Sequence, residues 1–455
     1  MCSACRSSVW WSTEQNAEMT DTASRVRPRA DVVTTWRPRL VQRTPLTWML
    51  PLVLIVASQY KFRRRDPMDT TGGSIDLFIL LELFVYMLVA AYLMVRIRPT
   101  MRHDAIMVWI VGYCLTVIVS VLYAPTFLLA LVRGIELAVV LLVVLQFDAD
   151  GDVAMVRRFL HGLIVVTVVS IAIGLAFVAP QPLSQQGRFT WLYVHSGVAG
   201  EQMSIVGVLL FGMWLTHSAA RLPWRRWVYG SLLVVVVLAL VANKTRGAIA
   251  GGLAGVFVVA FLWARTRGKR DLVIAGLLAG GVIVMTMGGV LVRYAMRDGD
   301  TANLATLNNR TQLWSMAWDI FSRRPLHGEG FTATRTVFLD ETGLGGAHNA
   351  FFNVLVDTGL LGMFWWVGLF ALVIARIHVL RRRAKLHAGA SPLTFDSITL
   401  SGVIVCLLVN GLVSQDLGAG LGAPAMVLFL SGVWVLVCGD AMDHVEALAA
   451  AEATA

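Results

Sequence analysis

Runs of about 20 apolar residues, each ended by a short polar break, recur along the chain, and that is the length a bilayer core demands. They fall at about 44–60, 74–96, 104–122, 125–147, 156–180, 197–217, 225–243, 246–265, 271–293, 350–378, 397–416 and 422–439. The pattern predicts an all-α, polytopic integral membrane protein with about twelve transmembrane helices (11–12). One polar interruption, at about 294–349, is long enough for structure of its own. Within it, RTQLWSMAWDIF sets Trp314, Ala317, Trp318 and Phe321 on one helical face, opposite Gln312, Ser315 and Asp319. That spacing predicts an amphipathic helix lying on the membrane surface or packed across the bundle.

Charge orients the spans. A basic tail (Arg25, Arg27, Arg29, Arg37, Arg39, Arg43) puts the N-terminus in the cytoplasm by the positive-inside rule. Alternating from there, the inside connections are RIRPTMRHD, VRR, ARLPWRR, RTRGKRD and LRRRAKLH, each basic, whereas the outside connections are mostly poor in Lys and Arg. KFRRRD at 61–66 disagrees. Either the stretch before it does not span, or those arginines face outward for a reason. The expected organisation is a disordered basic cytoplasmic tail over 1–43, N-terminal transmembrane helices over 44–293, and an extracytoplasmic catalytic loop over 294–349. C-terminal transmembrane helices over 350–439 and a cytoplasmic tail over 440–455 complete it.

Composition agrees: 57% of residues are hydrophobic and only 15% charged, where a soluble domain carries about a quarter. The net charge of +10 sits largely in inside loops and in the tail, without basic patches interleaved with aromatics, so it does not point to nucleic acid. Cys114, Cys406 and Cys438 lie in apolar segments and read as small hydrophobes. Cys2 and Cys5 form a lone C-x-x-C without a second ligand pair, and Met19 is an equally good start that would delete it. The tail has no apolar run before a cleavage site. DADGD at 148–152 reads as an inside turn, and no outer loop carries an Asp-x-Asp, so no metal and no cofactor are expected. Arg133 and Glu136, three residues apart within a span, are expected to pair.

Cations on the outer face run against the positive-inside bias. Arg188 ends the first outer loop, Lys244 and Arg246 sit at the outer start of a helix, Arg310 begins the amphipathic helix, and His348 opens the next span. Singly, each could anchor a helix end by snorkelling. Together they describe an anion site. The arginine fork donates in pairs to phosphate oxygens, and a helix start adds free N–H groups and partial positive charge. A histidine beside such a site can take a proton from a hydroxyl. Glu201, Asp357 and Asp416, in the outer halves of their spans, could orient His348 through its other ring nitrogen. Asn349 and the glycines before it would let the junction of loop and helix approach a substrate closely. Gly247, Gly251 and Gly255 read as close helix packing rather than a phosphate cradle.

TRGAIAGG at 245–252, NRTQLWSMAWDIFSRRPLHGEGF at 309–331 and HNAFFNVLVDTGLLGMFWWVGLF at 348–370 resemble the O-antigen ligase and O-antigen polymerase family of membrane glycosyltransferases. The matches are Thr245-Arg246-Gly247, Arg310 with Trp314, Pro325 to Gly330, His348-Asn349 and Gly359 to Gly362, in the family's order. Two departures are the glutamate within HGEG and HSGVAG at 195–200 in place of a His-Pro-Asn type run. The resemblance is specific over roughly 180–370 and architectural elsewhere.

The resemblance implies a GT-C-like membrane enzyme of the bacterial inner (cytoplasmic) membrane, with both termini cytoplasmic and the active site extracytoplasmic. It implies inverting, metal-independent transfer of a glycan from undecaprenyl pyrophosphate. Arg246 and Arg310 would hold the pyrophosphate and His348 would be the base on the acceptor hydroxyl, while Arg188 and Lys244 join the pyrophosphate site on their position alone. Expected partners are the undecaprenyl-pyrophosphate-linked glycan, a glycan or lipid acceptor, membrane lipids and other polysaccharide assembly proteins. The reading taken is a polymerase of surface polysaccharide. A ligase, transferring to a lipid A core or a protein, shares the motifs and differs in acceptor. A transporter or flippase of a polyisoprenoid-linked glycan is the alternative of another class, and it should show two-fold internal similarity or broken helices in corresponding halves. The chain shows neither pattern.

Overall fold

Lipid offers no hydrogen bonds, so apolar segments of this length satisfy their backbone groups internally as helices. The computed structural model describes residues 46–60, 77–96, 104–177, 188–190, 192–219, 223–269, 310–342, 345–386, 392–418 and 421–454, with scattered positions between 271 and 286. The basic tail, KFRRRD, loop residues 181–187 and most of 271–309 lie outside the described residues.

The helices are α1 (Leu50–Gln59, preceded by a 3-10 turn at Thr47–Met49), α2 (Leu77–Arg96), α3 (Ala105–Ser120), α4 (Phe127–Asp150), α5 (Val153–Phe177), α6 (Ser196–Ala219) and α7 (Pro223–Asn243). There follow α8 (Arg246–Thr266), α9 (Arg310–Arg323), α10 (Ala333–Thr342), α11 (Ala350–Leu386), α12 (Pro392–Gly411) and α13 (Ala423–Thr454). Among the described residues there is no β-strand, and ten helices are long and apolar enough to cross a bilayer. The chain is an all-α, multi-pass membrane protein.

The apolar stretch at 44–60 is a departure. Thr47–Gln59 forms a helix too short to count among those ten. At about 1.5 Å per residue it extends about 20 Å, against a hydrocarbon core of about 30 Å. Its end is pinned elsewhere: Tyr60 bridges Tyr193, and the two hydroxyls lie 3.0 Å apart.

α6, α8 and α12 pack on one another, with α7 on α6, while the second half of α11 lies on α3 and α13 is the most enclosed span. Small residues allow the close approach. A Cβ on Gly255 would sit 2.7 Å from the Gly402 carbonyl oxygen, and one on Gly251 would strike Asn410. Asn410 instead donates to the Ser204 hydroxyl at 2.8 Å, joining α12 to α6. Arg133 pairs with Glu136 as expected (2.6 Å), and Glu82 of α2 joins it at 2.8 Å. Of DADGD, Asp148–Asp150 form the end of α4, and only Gly151, in the left-handed region at φ 55°, and Asp152, which accepts from the Ala154 N–H, make the turn into α5.

α9 is the expected amphipathic helix, packed across the bundle. Its buried face is Leu313, Ala317, Ile320 and Phe321, set against Phe338 of α10, Ala347 and Val356, with Trp314 stacked on Phe352 at 6.0 Å. Trp318 is a correction: it is 55% exposed, one step around from the 313/317/320 stripe. α10 was not foreseen. Its start is capped by Asp357 of α11, which accepts from the Thr334 N–H (2.8 Å) and hydroxyl (3.0 Å).

α11 is broken at Gly359, whose φ of 62° and ψ of −157° are non-helical. The loop after α9 docks into the break through four backbone hydrogen bonds. Leu360 N–H donates to Pro325 O, Leu361 N–H to Leu326 O, Glu329 N–H to Val356 O, and Gly330 N–H to Asp357 O. The glutamate within HGEG pairs with Arg324 of the same segment at 3.2 Å.

Candidate functional site

The helix start at Arg246 is built unusually. Thr245 stands at the N-cap position of α8 but makes no cap bond; its hydroxyl donates to Ser196 O at 3.0 Å. No side chain at the N-cap position therefore covers the first N–H groups of α8, and free N–H groups at a helix start are donors that anions can take. Ser196, at the start of α6, accepts from Arg188 at 2.7 Å, and Asn243 donates to Phe189 O at 2.8 Å. Two loops are thereby stitched together, bringing Arg188 and Arg246 to one place. The Nε atoms of both arginines are buried without a hydrogen-bond partner among the described residues. Such donors are costly unless something accepts from them. Lys244 lies in the same turn, exposed, with φ 57°.

The turn between α12 and α13 joins this cluster to the His348 segment. A Cβ on Gly247 would overlap the Val413 side chain. Asn349 caps α11, its Oδ1 accepting from Phe351 and Phe352 N–H at 2.9 and 3.2 Å, while its Nδ2 donates to Leu412 O at 3.0 Å. Asn353 accepts from the Ala347 N–H at 3.1 Å and reaches Gln415 at 3.5 Å. His348 itself is held in the left-handed region at φ 50°. Its imidazole is pushed down to about 4 by burial, by the Arg310 guanidinium and by His195. Those three groups are thus electrostatic neighbours, although they come from different segments.

The acidic residues divide. Glu201 and Asp416 lie beside each other, with the Ser414 hydroxyl bonded to Glu201. Burial pushes Asp416 up to about 6, with Arg335 acting against it. Asp357 spends its carboxylate on Thr334 and caps α10. The hydrogen bonds of Asp357 therefore run to α10 and not to the imidazole. Among the described residues no group of three or more His, Cys, Asp or Glu gathers as metal ligands would.

Sequence reasoning missed His195, Ser196, Asn353 and Gln415 as parts of this constellation. The signal for His195 was present: His195-Ser196 opens α6 as His348-Asn349 opens α11. Desolvation by the surrounding protein lowers the His195 pKa, and its Nδ1 accepts from the Gly197 N–H at 2.9 Å.

No curated protein matches the chain. Residues 231–367 match the family model described as O-antigen ligase. That stretch begins inside α7, ends inside α11, and contains Lys244, Arg246, Arg310, His348 and Asn349 while leaving out Arg188, His195 and Asp416. The chain is thus a polytopic membrane protein that is similar, over residues 231–367, to the O-antigen ligase model, the family that its motifs also resemble.

Proposed function

We propose that the protein transfers a glycan from an undecaprenyl-pyrophosphate-linked donor to a hydroxyl acceptor, with inversion and without a metal, at the extracytoplasmic face of the inner membrane. What supports this reading is that the Arg188–Arg246 cluster and the His348 segment both meet the turn that follows α12, with Arg310 acting on the His348 imidazole. Arg188 and Arg246 offer buried, unpartnered donors at a bare helix start, which is chemistry for a multi-oxygen anion. Arginines so placed take the charge-stabilising part that a divalent ion takes elsewhere.

Neutral His348 accepts the proton of the acceptor hydroxyl as its oxygen bonds to the anomeric carbon. The bond from that carbon to the phosphate oxygen breaks, and undecaprenyl pyrophosphate leaves with its charge held by the arginines. A cleft of about 940 Å³, lined by Trp48, Leu52, Val56, Phe78, Leu81 and Val165 among others, runs between α1, α2 and α5. It reaches Tyr60 and Val194, next in sequence to His195, and its apolar wall suits the polyprenyl chain of the donor. The acceptor in this reading is a second lipid-linked glycan, making the enzyme a polymerase. The second reading, a ligase with a lipid A core or protein acceptor, shares the same motifs and is the one named in the description of the matching model.

The test is transfer by purified protein in liposomes supplied with a labelled lipid-linked oligosaccharide. His348→Gln keeps size and hydrogen bonding but cannot take the proton, so transfer should fall by about 10²- to 10⁴-fold while donor binding persists. Arg246→Lys, which keeps charge but loses the paired donors, should also be strongly impaired. Near-wild-type transfer by His348→Gln would remove His348 from the mechanism.

A further inference from the structure

His195 is the N-cap of α6, and its ring is fixed by that task. Nδ1 accepts from the Gly197 N–H at 2.9 Å, and the backbone carbonyl accepts the first helical bond from Ala199 at 3.1 Å. An Nδ1 that accepts carries no proton, so the neutral imidazole must hold its hydrogen on Nε2. Protonating Nδ1 would set two N–H groups against each other and uncap the helix. His195 is therefore a donor at Nε2 and nothing else. The residue keeps exposed surface although the protein around it desolvates the imidazole, and the cap is the ring's one hydrogen bond among the described residues. Its neighbour in sequence, Ser196, is the residue that binds Arg188 through its hydroxyl and Thr245 through its carbonyl. On its other side, Val194 lines the apolar cleft. His195 is thus flanked by the residue that binds the Arg188 side chain and by a residue of the apolar cleft, and it acts electrostatically on His348.

We propose that His195 is a substrate-binding residue whose Nε2–H donates to a phosphate oxygen of the departing undecaprenyl pyrophosphate, a role that rests on the glycosyl-transfer reading above. No proton changes hands at His195; the hydrogen bond strengthens as negative charge gathers on the leaving group. The two histidines then divide the chemistry, His348 accepting a proton from the acceptor and His195 donating a hydrogen bond to the donor.

A residue that only caps a helix and one that also binds phosphate respond oppositely to two substitutions. His195→Asn keeps a good cap, because its short side chain accepts from the same N–H, but has nothing in the place of Nε2–H. His195→Gln carries an amide N–H near that place and is a poor cap. Binding of undecaprenyl pyrophosphate to the purified full chain, its thermal stability and its glycan transfer are measured for both. His195→Asn should melt near wild type yet lose about 10- to 100-fold in binding, the size of a lost hydrogen bond to a charged group. Transfer should fall with it. His195→Gln should melt lower yet bind and transfer better than His195→Asn. Wild-type binding and transfer by His195→Asn would overturn the role of His195 and leave the glycosyl-transfer reading standing. If the wild-type protein neither bound undecaprenyl pyrophosphate nor transferred glycan, that reading would fall and take this role with it.

Discussion

His348 adopts a left-handed backbone conformation, which costs an L-residue other than glycine about 1–2 kcal/mol. The surroundings hold it there: Asn349 caps the helix behind it, and Asn353 takes the Ala347 N–H ahead of it. Burial and the neighbouring Arg310 and His195 favour the neutral ring, whose pKa falls to about 4. The sign follows directly. From pH 6.5 down to about 4 the unfolded chain takes up this proton and the folded protein does not, so the stability this group contributes above pH 6.5 drains across that window. In selectively ¹³C-histidine-labelled protein, the His348 resonance should titrate well below the usual value near 6.5. Arg310→Gln should move its midpoint up, because a repelling charge is gone. A midpoint near 6.5 in the wild-type protein would contradict the neutral, base-competent ring. The candidates themselves came from the sequence, because arginines and a histidine in connections read as outer run against the positive-inside rule. His195 was passed over although its His-Ser pair was in view, because HSGVAG reads as a departure from the family's run and the contacts that tie Ser196 to Arg188 and Thr245 are tertiary.

At the scale of elements, α11 and the loop that docks into it form one device. The apolar pattern runs unbroken through Gly359, so the sequence predicts a continuous span there. The break depends on backbone groups of Pro325 and Leu326, more than thirty residues away, and no local pattern reports a partner that distant. The same cause hid α10, whose threonine-rich sequence is a poor helix former until Asp357 caps it from another element. The motif glycines thus acquire a reason. A Cβ on Gly359 would lie 2.5 Å from both the carbonyl carbon and oxygen of Leu326 and 2.6 Å from the His327 nitrogen, and its φ/ψ pair is essentially reserved for glycine. Gly359→Ala should therefore cost at least about 1–3 kcal/mol through backbone strain alone, with undocking of the 325–330 loop added. Gly207→Ala in α6 is the contrast, because a Cβ there meets nothing within 4 Å. Thermal melts of the two variants in one detergent should separate them clearly, with Gly359→Ala well below wild type and Gly207→Ala at or above it. Melting of Gly359→Ala at the wild-type temperature would mean that the break does not bear on stability.

Across the whole molecule, the alternation of charge along the chain and the packing of the helices describe the same polarity. Arg246 and Arg265 lie at opposite ends of α8, a helix of 21 residues that extends about 31 Å. The Arg265 end faces His378, Arg381, Arg382 and Lys385 of α11, so two connections read as cytoplasmic from charge alone meet in space. The Arg246 end meets the turn after α12 and, through it, the start of α11 at His348. Spans and their order were legible because hydropathy and basic loops are one-dimensional signals, whereas 61–66 lies outside the described residues. If the reading of sides is right, the two ends of α8 must react differently with a reagent that cannot enter the cell. With all five cysteines removed, single cysteines replace Lys244 and Glu341 at one end of the bundle, and Lys269 and His378 at the other. All four positions are exposed. An impermeant maleimide should label Lys244→Cys and Glu341→Cys in cells whose inner membrane is intact and whose outer layers admit the reagent. Lys269→Cys and His378→Cys should label only after that membrane is opened. The reverse pattern would place His348 and the arginines in the cytoplasm, where a donor presented on the outer leaflet could not reach them, and the proposed transfer would fail with the topology.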